Sequence, residues 1–126
     1  MPFLALQGIR VLEIATGIAG PFCAKLLADY GAEVIKVEPP RWGDSSRHLV
    51  PFSHSEGRTE ESPETSVEKS ALFLHLNTNK KGVTLDLESS SGQDLFRRLA
   101  ADSHIVIESF APGAMEKLGI GFQTLK

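Results

Sequence analysis

Residues 8–38 read GIRVLEIATGIAGPFCAKLLADYGAEVIKVE, and this stretch decides the fold. Ile9 to Ile14 is a short run rich in β-branched residues, bounded by Gly8 and Gly17, which predicts a strand. A glycine-bearing turn follows over Thr16–Pro21. Pro21 suits the first turn of a helix, where a missing N–H breaks no bond. The helix is predicted through Tyr30, with Cys23, Leu26, Leu27 and Tyr30 spaced i, i+3, i+4, i+7 as its apolar face. Gly31 stands where a C-terminal cap belongs. Ala32–Glu38 is a second strand, ended by Pro39 and Pro40, which cannot donate to a sheet ladder. This is a β-α-β unit, whose crossover is nearly always right-handed between parallel strands.

The pattern repeats downstream. Ala71–Leu76 is apolar but too short to assign to helix or strand. Gly82–Leu87 alternates Val83, Leu85 and Leu87 against Thr84 and Asp86, so it predicts a two-faced strand. Ser90 and Ser91 offer an N-cap to a helix over about 92–101, with Leu95, Phe96 and Leu99 as its buried stripe. Ser103–Ile107 reads as a fourth strand, Ser109–Gly113 as a turn, and Ala114–Leu118 as a short helix. The order is that of an α/β protein with an open, mainly parallel sheet and helices on its faces. Between Ser55 and Ser70 only Val67 is apolar, so residues 51–70 read as a flexible loop within one region spanning 1–126.

The composition sets limits. A net charge of −3 argues against non-specific nucleic-acid binding, which needs Lys and Arg on phosphates. The one cysteine, Cys23, allows no intrachain disulfide, and its place on the apolar stripe predicts a buried, inert thiol. Four scattered histidines lack metal-ligand spacing, so no metal is expected. No stretch approaches the roughly 20 apolar residues of a membrane span, and a cytosolic protein is the default reading.

In open α/β sheets, ligands sit beyond the carboxyl ends of the strands. Three loops there carry glycine: Thr16–Pro21, Pro39–Asp44 and Ser109–Gly113. Gly17-Ile18-Ala19-Gly20 lacks the glycine spacing of a dinucleotide site, although Glu38 falls where a ribose acid would stand. Lys80 and Lys81 form a compact basic cluster, read either as a phosphate contact or as a solvated turn. Arg41 and Lys117 admit the same two readings, and Arg97 and Arg98 read as the solvated face of a helix. Asp44, Asp86 and Asp102 are single carboxylates with no partner in sequence. The residues alone point to an α/β domain with a phosphate-bearing ligand.

Several blocks together resemble the opening of the family III CoA-transferases, a group that includes α-methylacyl-CoA racemases and carnitine-CoA transferases. They are Leu6–Ile14, Ala19–Ala24, Leu27–Pro40, Gly43-Asp44-Ser45-Ser46-Arg47, Asn77–Leu87, His104–Gly113 and Met115–Gly119. The resemblance implies a Rossmann-like region that binds coenzyme A or an acyl-CoA. Carried over by position, the CoA contacts are Ile18, Leu85, Asp86, Leu87, Ser109, Phe110, Ala111 and Lys117, with Lys80 and Lys81 meeting phosphates. Members often carry Arg directly after the acid that ends the second strand; here Pro39 and Pro40 stand there, and Arg41 follows. Ser109 stands where transferase members commonly carry Asn.

In this family the catalytic aspartate of the transferases, and the His and Asp of the racemases, lie beyond the matched region. The resemblance therefore assigns no catalytic residue to this chain. It implies three readings: the N-terminal part of a transferase that moves CoA between carboxylic acids, the same part of a racemase, or a non-catalytic truncated CoA-binding module. It also implies an interlocked homodimer where the remaining architecture is present, and neither nucleic acid nor membrane as a partner.

Overall fold

The computed structural model describes residues 3–52 and 70–126. The loop expected over 51–70 falls almost wholly outside them, although Phe52 and Ser70 pair in an antiparallel bridge. Four strands form one sheet in the order β3-β2-β1-β4: β1 (Arg10–Glu13), β2 (Glu33–Glu38), β3 (Lys80–Thr84) and β4 (Ile105–Ile107). All three pairings are parallel. The protein is thus an α/β fold with an open, all-parallel sheet, and the order 3-2-1-4 is that of the doubly wound class.

Helices cover both faces. Val11 and Val34 meet Ala24 and Ala28 of helix α1 (Ala19–Asp29), with Ala32 of the following turn in the same core. Leu12, Ile14, Val37 and Leu85 meet Phe96 and Ala100 of helix α3 (Ser90–Ala101), with Met115 of helix α4 (Ala114–Lys117) in the same core. Alternation along β1 explains this division, because successive side chains point to opposite faces. Ala71–Leu76 is a helix, α2, capped by the Ser70 hydroxyl on the Phe73 N–H. A last short helix, α5 (Phe122–Leu125), was not anticipated from the pattern.

Four expectations are corrected. The buried face of α1 is Pro21, Ala24 and Ala28, not the Cys23–Tyr30 stripe; Leu26 is 42% and Tyr30 61% exposed. Small residues let the helix approach the sheet closely, and at its start a Cβ added at Gly20 would lie 2.2 Å from that of Ala15, just beyond β1. Cys23 is therefore exposed rather than buried. On α3 the buried stripe is Gly92, Phe96 and Ala100, whereas Leu95 is exposed. Arg97 is not simply a solvated residue, since its Nε donates to the Gly119 carbonyl at 3.1 Å and ties α3 to the chain after α4.

Candidate functional site

The strand ends converge on a pocket of about 440 Å³, within the range of small-molecule sites. Ile14 and Thr16 contribute from the end of β1, and Val37, Pro39 and Pro40 from the end of β2. Leu85–Glu88 supply the wall after β3, while Phe110 and Leu118 close it from the chain after β4. Because Ile14, Val37 and Leu85 also belong to the core under α3, the floor is rigid and apolar. A second depression runs along the edge of β4, and Phe110 and Ala111 border it.

The wall after β3 is locked by its own hydrogen bonds. The Asp86 carboxylate accepts from the Glu88 N–H at 3.0 Å, and the Asp86 carbonyl accepts from the Ser89 hydroxyl at 2.8 Å. Ser89 in turn caps α3 through the Gly92 N–H, one residue before the predicted cap. On the other side, Ser109 Oγ accepts from the Thr16 N–H at 3.0 Å and joins the loops after β1 and β4. The strand order reverses between those two strands, which is where this class of fold binds ligands.

The structure brings Leu85, Asp86, Leu87 and Phe110 together around one pocket. Arg41 and Lys117 are exposed and lie one residue from the lining residues Pro40 and Leu118. Arg41 also adopts a left-handed backbone, φ 69°, in the turn after the two prolines. Ile18 is exposed at the start of α1. Lys80 and Lys81 are not brought to the pocket. The Lys80 ammonium is buried on the α1 face, 2.8 Å from Glu13, and donates to the Pro21 carbonyl and to Asn77 Oδ1. Lys81 pairs with Glu33 at 2.6 Å.

Behind the pocket lies a charge network that the sequence reading missed. Glu13, Lys36 and Asp44 are all buried. Lys36 Nζ lies 2.9 Å from Glu13 and 2.7 Å from Asp44, and it also donates to the Ala15 carbonyl. With Lys80 the network holds two acids and two bases. Burial pushes the Asp44 carboxyl up, but Lys36 and the Ser46 N–H and hydroxyl outweigh it and hold it below the ordinary carboxylate range. Burial likewise depresses the Lys80 ammonium, against the pull of Glu13. Beside the network, Glu38 takes two bonds from Arg47, at 2.7 and 2.9 Å, and Arg47 lies over the Phe73 ring. The available signal was a lone acid and a lone lysine inside apolar strands, at Glu13 and Lys36.

Among the described residues no group of three or more His, Cys, Asp or Glu is placed to hold a metal ion. No described helix is long and apolar enough to cross a membrane.

A parallel sheet of this order, with a largely apolar pocket at its strand ends, places the protein in the doubly wound α/β class. The model of CoA-transferase family III matches residues 6–126, and the chain belongs to that family. It is 43% identical over 120 residues to a succinyl-CoA–D-citramalate CoA-transferase of Chloroflexus aurantiacus, covering 95% of this chain and 27% of that protein. It is 40% identical over 122 residues to an acyl-CoA transferase of Fusarium pseudograminearum, covering 97% of this chain and 26% of the relative. The crystal structure of Rv3272 from Mycobacterium tuberculosis, orthorhombic form, superposes with a TM-score of 0.83 at 40% identity, over 99% of this chain and 32% of that one. The chain thus spans about a quarter to a third of the length of these relatives.

Proposed function

We propose that the chain is the CoA-binding part of a family III CoA-transferase, whose longer form moves CoA between carboxylic acids. The observation that carries this reading is the pocket at the strand ends, where Leu85, Asp86, Leu87 and Phe110 meet. Its apolar floor suits a purine, and Phe110 offers a ring on which the base stacks. Arg41 and Lys117, just outside the lining, supply charge for phosphates. The transferase branch is preferred to the racemase branch because both relatives described above are transferases. The role given to this chain is binding, and the acyl-transfer step is assigned to none of its residues.

Calorimetric titration of CoA into the chain tests this. We expect micromolar-to-millimolar affinity, weakened in Lys117→Ala by about 1 kcal/mol, typical of a charged hydrogen bond and roughly fivefold in affinity. Absence of binding heat at millimolar CoA would overturn the reading and leave a module that does not bind the nucleotide.

A further inference from the structure

Asp44 joins two walls of the pocket without lining it. Its Oδ1 accepts from the Gly17 N–H at 3.0 Å, from the Ser46 N–H at 2.8 Å and from the Ser46 hydroxyl at 2.7 Å. Its Oδ2 faces Lys36 Nζ at 2.7 Å, and its own N–H donates to Glu38 Oε2 at 2.7 Å. Gly17 neighbours Thr16, and Glu38 neighbours Pro39; both Thr16 and Pro39 line the pocket. One buried side chain therefore ties the loop after β1 to the loop after β2. Lys36 is in turn bound to Glu13 and to the Ala15 carbonyl, so the anchor behind Asp44 is fixed to β1.

The geometry points to Asp44 as a positioning residue: by taking the Gly17 N–H it fixes the loop between β1 and α1 at the mouth of the pocket. It thereby sets the affinity for CoA, an arm of the proposal that rests on the CoA-binding reading above. The competing explanation is that Asp44 only balances the Lys36 charge. The two roles separate chemically, because charge and hydrogen-bond acceptance can be removed independently.

The double variant Lys36→Met/Asp44→Ala removes both charges and the acceptor. Lys36→Met/Asp44→Asn removes the same charges but keeps an amide oxygen for Gly17 and Ser46. Both leave Glu13 paired with Lys80. If Asp44 positions the loop, the Ala variant weakens CoA binding about tenfold, the scale of one well-placed hydrogen bond to a charged group, and the Asn variant restores it to within about twofold. Equal affinities in the two variants would overturn the proposal. Amide hydrogen exchange of the unaltered protein tests whether Asp44 holds the loop at all, whether or not the variants fold. The Gly17 N–H should exchange at least about tenfold more slowly than that of Ile18, since protection follows hydrogen bonding and Ile18 N–H has no acceptor among the described residues. Equal rates, corrected for sequence, would overturn the proposal. Exchange is read without ligand, so a chain that binds no CoA defeats the functional reading while leaving the Asp44 question answerable.

Discussion

Gly92 shows how little room the pocket wall has. A Cβ there would lie 1.8 Å from the Asp86 carbonyl oxygen and 2.6 Å from its carbon. Both are backbone atoms, so no side-chain rotation relieves the clash. Gly92→Ala must displace either the first turn of α3 or the wall at Leu85–Ser89, and we expect a loss of about 1–3 kcal/mol of stability, the range for overpacking. Gly82 provides the control, because a Cβ there meets nothing within 4 Å. Gly82→Ala should change stability by less than about 0.5 kcal/mol, as for an unremarkable surface site. Urea titrations of the two variants check the contrast, and equal losses would mean that the close approach at Gly92 is not constraining. The family resemblance singled out Leu85 to Leu87 by position, and these residues line the pocket wall. The Glu13–Lys36–Asp44 network was not legible in the sequence, because its members sit on different elements and only the fold brings them together. For the same reason Lys80 read as an exposed cation, although Glu13 lies 2.8 Å from its ammonium.

At the scale of the element, β1, β2, β4 and the helices α1, α3 and α4 were legible from local pattern to within a few residues. Which face of α1 is buried was not. Spacing picked out the large apolar residues, but the sheet accepts the small ones, Ala24 and Ala28, since α1 packs close to Val11 and Val34. Hydrophobic size and burial therefore part company on this helix. The contrast predicts opposite responses on opposite faces. Ala28→Leu inserts volume against the sheet and should cost about 1–3 kcal/mol. Leu26→Lys lies on the outer face and should stay within about 0.5 kcal/mol of the parent. Thermal unfolding of the two variants tests this. If Leu26→Lys proved the more damaging, the buried face of α1 would be the one that spacing suggested. Similarly, Leu85 and its neighbours belong to the loop after β3 rather than to the strand, because the ladder ends at Thr84 opposite Glu38. That early ending is what frees Asp86 and Leu87 to turn into the pocket wall.

Across the whole molecule, the charge network and the Glu38–Arg47 pair join β1, β2 and β3 to α1 and α2 by charge, in addition to the apolar packing of α1 on the sheet. This makes stability depend on acid in a particular way. Glu38 is buried enough to be pushed up, yet Arg47 and the Asp44 N–H hold it net below its ordinary value of 4.5; Asp44 is likewise lowered. A carboxyl with a depressed folded pKa binds fewer protons folded than unfolded, so its stabilisation is complete above the unfolded value and is lost as pH falls through the folded value. The urea midpoint should therefore be insensitive to these groups from neutrality down to about pH 5 and decline below about 4.5. Glu33 complicates the reading, because Lys81 and Arg10 lower it to about 2 and it also loses stabilisation in acid. Salt separates the two. The Glu33 pairs lie at the surface, with the Glu33 side chain 36% exposed, and should be screened at 1 M salt, where the Debye length is about 3 Å, whereas buried pairs are screened much less. An acid-dependent decline that persists in 1 M salt, and that shrinks in Glu38→Gln/Arg47→Met, would locate the effect in the buried network. A decline abolished by salt would assign it to the surface pairs instead, and the network would then be holding the loops without governing the stability of the fold.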